Sequence, residues 1–71
     1  MKLEQYIKQT GTSQREIAEQ LASRGVRASQ GLVSQWINGV TRITLQAAVE
    51  LEQITRGAVT VYDWLPEDKA A

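Results

Sequence analysis

Residues 29–39, SQGLVSQWING, place uncharged hydrogen-bonding side chains at the spacing of one helix face. At about 100° per residue, the polar and the apolar residues of a helix over this stretch separate completely. The polar arc comprises Gln30, Gly31, Ser34, Gln35 and Asn38, and the apolar arc comprises Leu32, Val33, Trp36 and Ile37. Amide and hydroxyl groups donate and accept hydrogen bonds, whereas solvated helix faces usually carry lysine and glutamate. The stretch is therefore suited to recognising hydrogen-bonding patterns.

This chemistry is what a helix needs to read base edges in the major groove of duplex DNA. Glutamine and asparagine can pair bidentately with adenine, and serine can contact either kind of base. Charged side chains bind phosphate at any sequence, whereas neutral amides discriminate among bases. A glycine such as Gly31 allows the helix backbone to come close to a ligand. The alternative is that this face is an ordinary solvated surface.

The chain lacks the residues on which most catalytic and metal sites depend. It contains no cysteine and no histidine, which excludes thiolate and histidine metal ligands, nucleophile–histidine pairs and disulfides. Glu16 and Glu19 are too close in sequence to form a catalytic carboxylate pair, and there is no glycine-rich phosphate loop. We expect no enzymatic activity, no metal, no cofactor and no small-molecule ligand.

The chain length predicts one domain over residues 1–71, of which residues 67–71 form a frayed tail. The longest apolar run is residues 47–49, whereas a membrane span requires about 20 apolar residues. Charges interrupt the apolar residues of the N-terminal stretch MKLEQYIKQTG, unlike those of a secretory signal. We expect a cytoplasmic protein without membrane contact.

Charge is distributed unevenly along the chain, although the formal net charge is zero. Residues 20–49 contain three arginines and no acid, which gives +3, whereas residues 50–71 contain five acids and two cations, which gives −3. The middle of the chain therefore suits a polyanion such as nucleic acid better than the overall balance does. The three arginines are Arg24, Arg27 and Arg42. Each could equally serve only solubility.

Apolar spacing predicts four main helices and a short fifth segment. The first helix stops at Gly11, and one of its faces comprises Leu3, Tyr6 and Ile7. The second begins after Thr12 or Ser13, where Ser13-Gln14-Arg15-Glu16 forms an S-x-x-E capping box, and it ends at Gly25. Its predicted buried stripe comprises Ile17, Ala18, Leu21 and Ala22.

The third helix follows Ser29, a good N-cap, and ends at residues 38–39. The fourth spans about residues 44–55 and ends near Gly57. Its predicted inward residues are Leu45, Ala48, Leu51 and Ile54. In the fifth segment, Thr60-x-x-Asp63 favours one or two helical turns, although the β-branched and aromatic residues here would also suit an edge strand.

Two short amphipathic helices joined by a glycine-containing turn, the second with a polar outer face, are typical of the helix-turn-helix. The chain resembles the Cro and repressor group of phage helix-turn-helix regulators, and in particular the antitoxin-type Cro-like proteins. The resemblance covers roughly residues 12–66 and rests on REIAEQL, GV, SQGLVSQWING, RIT and LEQITRGAVTVYDWLPED in this order. It implies an all-α, compact four- to five-helix domain of the lambda-repressor-like type.

The interval between the two motif helices departs from the pattern of this family. The separation from Ala18 to Val33 exceeds that of the usual motif, and the excess lies within ASRGVRAS. The resemblance therefore implies a lengthened second helix and an enlarged turn. Arg24 and Arg27 lie on this enlargement, where they could supply phosphate contacts.

The resemblance also implies a role for individual residues, in a Cro-like transcriptional repressor that binds double-stranded operator DNA. The base-contacting residues are Ser29, Gln30, Gly31, Ser34 and Gln35. The phosphate-contacting residues, with the two arginines of the turn included, are Gln14, Arg24, Arg27, Asn38 and Arg42. Asn38 could touch a base instead. Because one small module contacts few bases, we expect a homodimer, formed in solution or on the DNA, with half-sites about one helical turn apart.

The apolar cluster at residues 59–65 and the side chain of Trp36 each have two interpretations. Trp36 could stack on a base, but its alignment with Leu32, Val33 and Ile37 favours the core. The cluster caps the core or forms part of a dimer contact, and its apolar members are Val59, Val61, Tyr62, Trp64 and Leu65. The alternative function is an antitoxin or another protein-interaction module that uses this cluster.

Overall fold

The computed structural model describes residues 1–64, and most of this part of the chain lies in short helices. Four α-helices are present, α1 (Leu3–Thr10), α2 (Gln14–Ser23), α3 (Gln30–Asn38) and α4 (Leu45–Ile54), and a 3₁₀ helix (Val61–Trp64) follows. No strand occurs in this part of the chain. The predicted all-α architecture and the helical form of the fifth segment are confirmed. The predicted frayed tail and Leu65 lie outside the described residues.

The first turns of α2, α3 and α4 are each held by a side-chain cap from the residue that precedes the helix. In the capping box of α2, the Glu16 amide donates to Ser13 Oγ and the Ser13 amide donates to Glu16 Oε1, both at 3.0 Å. Ser29 caps α3 by accepting from the Leu32 amide at 3.1 Å, and Thr44 caps α4. Each cap contributes about 1 kcal/mol to helix stability. The predicted starts of α2, α3 and α4 are therefore confirmed.

The core lies where the apolar stripes of all four α-helices meet. Its largest fully buried side chains are Leu3, Ile17, Leu21, Val33, Leu51 and Val59. Trp36 is only 6% exposed and belongs to the same cluster. The core interpretation of this tryptophan is confirmed, because its ring is enclosed by protein and cannot present a face to a base.

Two residues predicted to be buried lie on the surface. Leu45 is 71% exposed because it is the first residue of α4, next to the Thr44 cap, and Ala47 is buried in its place. Ala22 is exposed near the end of α2. There the Val26 amide donates to the Leu21 carbonyl at 2.9 Å, and Val26 rather than Ala22 completes the core.

The positions of α2 and α3 are set by their mutual packing and by a connection over residues 24–29. Gly25 has a φ of 87°, in the left-handed region, and lets the chain leave α2. Arg24 Nη1 binds Glu50 Oε1 at 3.0 Å and Gln53 Oε1 at 3.1 Å. These bonds tie the start of the connection to α4.

The 3₁₀ helix is anchored through Asp63. Its Oδ2 accepts hydrogen bonds from the Thr60 amide at 2.7 Å, the Thr60 hydroxyl at 3.0 Å and the terminal ammonium of Met1 at 3.0 Å. Burial raises the pKa of Asp63, but the bonds from Thr60 and the ammonium group outweigh burial and lower that pKa below 3.8. The ionised carboxylate therefore joins the two ends of the described fold.

Replacing Asp63 with Asn should lower the free energy of unfolding at pH 7 by about 1 kcal/mol, because a neutral amide oxygen replaces the charged acceptor of the bonds from Thr60 and the Met1 ammonium. Since the pKa is lower in the folded state, the contribution of Asp63 is complete above the unfolded pKa of about 3.8 and disappears as the pH falls through the folded value. Urea unfolding of both proteins between pH 7 and pH 2 measures this. A stability difference that is the same at every pH would contradict the assignment.

Candidate functional site

The outer face of α3 is open to solvent. Four of its polar positions are exposed and Ser34 is half-buried; the exposed ones are Gln30, Gly31, Gln35 and Asn38. Ser29, which caps the helix, is exposed as well. The opposite face holds Val33 and Trp36 in the core. All five positions for which the sequence predicts base contacts therefore lie on the N-cap and along one side of a single anchored helix.

Hydrogen bonds on this face orient several of the polar groups. The Thr41 hydroxyl donates to Gln35 Oε1 at 2.9 Å, and Asn38 Nδ2 donates to Ser34 Oγ at 3.3 Å. The Gln35 amide NH2 group and Asn38 Oδ1 take no part in these two bonds and can bind other partners. Gln30 makes no side-chain hydrogen bond with any residue of the described chain. The face thus combines oriented amides with one that is unconstrained.

Charge lies at the ends of α3 and is absent from the helix itself. Arg27 precedes the helix and Arg42 follows it, and both side chains are exposed. Neither forms an ion pair within residues 1–64. Two guanidinium groups are therefore available to an anionic ligand that runs along the polar face.

Arg24 differs from these two arginines because its guanidinium is used within the fold. It bridges Glu50 and Gln53 of α4. Glu50 lies one position beyond residues 20–49, the acid-free stretch with a charge of +3. Its carboxylate neutralises the positive charge of Arg24, one of the three arginines in that stretch. The structure thus makes Arg24 a brace for the connection between α2 and α3, and its predicted phosphate contact would require breaking this pair.

Gln14 is the first residue of α2 and is half-buried. The N-terminus of α2 carries the partial positive charge of its helix dipole, which favours an anion nearby. The adjacent Arg15 is paired with Glu19 at 3.3 Å across one turn of the exposed surface. The first turn of α2 also holds Glu16, whose carboxylate accepts from the Ser13 amide at 3.0 Å and forms no ion pair within the described residues. A phosphate contact of Gln14 would therefore lie beside this negative charge.

The cluster at residues 59–65 divides between core and surface. Val59 is 0% exposed and packs in the core of the single chain, so its side chain offers no surface to a second copy. Val61 and Trp64 are half-buried and line an open groove of about 600 Å³, together with Ile37, Ile43 and Leu45. Tyr62 is 80% exposed. Among the described residues of the cluster, only Val61, Tyr62 and Trp64 therefore remain available for the predicted dimer contact.

The chain matches no protein-family model, no curated protein and no solved structure. Within residues 1–64, no helix is both long and apolar enough to cross a membrane. The same part of the chain brings no three acidic, histidine or cysteine side chains together as metal ligands. The face of α3 and its flanking charges are the features of the described residues that bear most directly on function.

Gly31 is not required by the fold. A Cβ atom added there would meet only Ser29 Oγ, at 3.8 Å, and alanine lowers the backbone entropy cost of a helix. Replacing Gly31 with Ala should raise the free energy of unfolding by about 0.5 kcal/mol. Urea unfolding measures this, with Gly39→Ala as the matched control.

The control should be destabilised by about 1 kcal/mol, because Gly39 has a φ of 76° in the left-handed region. A loss of stability in the Gly31 variant would show that this glycine is structural. If the Gly31 variant is more stable than wild type, folding does not explain the glycine. Close approach of a ligand to the helix backbone then remains as the physical reason for a glycine at this position.

Proposed function

We propose that the protein is a sequence-specific DNA-binding repressor in which α3 enters the major groove. The observation that carries this proposal is the exposed face of α3, where amide and hydroxyl groups face solvent with no charge among them. Such groups match the donor and acceptor pattern of base edges. The burial of Val33 and Trp36 supports the proposal further, since it holds this face in one orientation.

In this proposal α2 and α3 form a helix-turn-helix of the lambda-repressor-like type, with residues 24–29 as the enlarged turn. The packing of α2 against α3 supports it, because the first motif helix must brace the second across the DNA backbone. The sequence resemblance to Cro and phage repressors points the same way. The N-terminus of α2 at Gln14 then faces phosphate through its helix dipole.

Phosphate binding in this proposal is assigned to Arg27 and Arg42, at the two ends of the reading helix. Their exposure and their freedom from ion pairs within the described residues support the assignment. Arg24 is excluded from the set because it is committed to Glu50. Two or three phosphate contacts per module give modest affinity with a low salt dependence. Sequence preference then depends mainly on the amides of α3.

Repression follows if the operator overlaps a promoter, because the bound protein occupies the site that the polymerase needs. One module of this size contacts few base pairs. We therefore propose two copies on a two-fold operator, with half-sites about 10 base pairs apart. Tyr62 is the most exposed described member of the cluster at 59–65, and with the half-buried Val61 and Trp64 it is the surface we assign to contact between copies.

A second candidate function is protein binding of the antitoxin type. It is favoured by the exposure of Tyr62 beside a groove lined by Val61 and Trp64. This surface is separate in sequence from the polar face of α3. Substitutions on the polar face of α3 would leave such an activity intact, whereas Tyr62→Ser would impair it.

Replacing Gln30 and Gln35 together with Ala should abolish sequence-selective binding without loss of folding, because both side chains are exposed. Loss of one bidentate amide contact costs about 1–3 kcal/mol of discrimination against the wrong base. Selection of bound duplexes from a random library measures the preference, and thermal unfolding checks the fold. The matched control replaces Gln5 and Gln46, two exposed glutamines of α1 and α4, with Ala. Full operator affinity in the Gln30 and Gln35 variant would refute the base-reading role of α3.

Replacing Arg27 and Arg42 together with Gln should weaken binding to all duplexes alike. If each arginine neutralises one phosphate, the slope of log affinity against log salt should fall in magnitude by about 1.8. Titrations of one duplex between low and moderate salt give the slope. Arg56→Gln serves as the control, because Arg56 is an exposed arginine at the far end of α4. An unchanged slope in the double variant would remove these residues from the phosphate-binding set.

A further inference from the structure

We infer that Thr41, which lies outside the reading helix, positions the Gln35 amide and thereby sets the base preference at the base pair that Gln35 faces. This inference rests on the proposed function. It depends on the hydrogen bond from the Thr41 hydroxyl to Gln35 Oε1, at 2.9 Å. The sequence pattern did not mark Thr41, because it falls in the loop after α3 and outside the polar arc of the helix.

The backbone after α3 holds Thr41 against Gln35. Gly39 adopts a left-handed conformation, with φ at 76°, which reverses the chain at the end of the helix. The Val40 amide then donates to the Gln35 carbonyl at 2.9 Å, and the Thr41 amide approaches the same oxygen at 3.4 Å. Thr41 is therefore placed by a closed helix cap, and its hydroxyl reaches the Gln35 side chain from a fixed position.

This bond should restrict the Gln35 side chain before any DNA is present. A free glutamine side chain loses rotamer entropy when it is immobilised, and here part of that loss occurs before binding. Because the Thr41 hydroxyl occupies one lone pair of Oε1, the amide retains both N–H donors of Nε2 and one further acceptor site, in a set orientation. A preorganised amide binds its partner at lower entropic cost and tolerates other arrangements poorly.

Gln30 provides the internal comparison on the same face. It is exposed, and its amide forms no hydrogen bond within residues 1–64. Its side chain can turn its donor and acceptor ends toward different bases. We therefore expect strong selection at the base pair facing Gln35 and a weaker preference at the one facing Gln30.

Thr41→Val removes the hydroxyl with little change of shape, and Thr41→Ser retains it. In selections from a random duplex library, the valine variant should relax the preference at one position of each half-site. Its affinity for the selected operator should fall about threefold to tenfold, as expected for loss of one hydrogen bond. The serine variant should keep the wild-type preference. Val40→Ala is the control, because Val40 is an exposed neighbour without a bond to the Gln35 side chain.

A double-mutant cycle tests whether Thr41 acts through Gln35. In the Gln35→Ala background, Thr41→Val should have no further effect on affinity or preference. In the free protein, NMR relaxation of side-chain amides should show Gln35 more ordered than Gln30 in wild type, and equally mobile in the valine variant.

The outcomes separate this inference from the proposed function. If the wild-type protein selects an operator and the valine variant selects the same one with equal affinity, the role of Thr41 is overturned and DNA reading stands. An effect of Thr41→Val that persists without Gln35 also overturns it. If the wild-type protein selects no sequence, the proposed function fails and the inference fails with it, whatever the order of the Gln35 amide.

Discussion

The orientation of α3 depends on burial of its apolar face, above all of Val33 and Trp36. The chain has no cysteine for a disulfide, and a domain of this size buries only roughly 60% of the surface of its unfolded chain. Each large buried side chain therefore matters, at about 1.5–3 kcal/mol. Because Trp36 can be enclosed at only one rotation of the helix, its burial also decides which side chains face solvent. The stability of the core and the presentation of the polar face share one cause.

The three arginines in the middle of this small chain have different roles. Of the three arginines in the middle of the chain, Arg24 binds Glu50 and Gln53 and holds the connection before α3 against α4. Arg27 and Arg42 remain at the ends of the helix. In the proposed function this division gives a protein of zero net charge few phosphate contacts, so that neutral amides must supply most of the discrimination. The bonds that orient Gln35 and Asn38 would then contribute to selectivity before binding.

Features that depend on neighbouring residues could be predicted from the sequence. Ser13 and Glu16 exchange hydrogen bonds across three residues, and Gly39 closes α3 through a local turn. Errors arose where packing decided the outcome. Leu45 fits the inward spacing of α4 but lies exposed beside the cap, and Val26 enters the core although it lies in a connection. Periodicity describes the faces of a helix, whereas burial also depends on which other elements cover each turn.

The sequence alone determined that the chain is mainly helical, where α2, α3 and α4 begin, and that α3 carries an uncharged polar face opposite an apolar one. These properties follow from caps and periodicity within a few residues. Only the tertiary structure decided that Arg24 is paired with a glutamate 26 positions away, that Val59 is enclosed in the core, and that Thr41 returns to Gln35. The reason is that each of these contacts needs a backbone path or a helix packing that brings together groups which no local pattern relates.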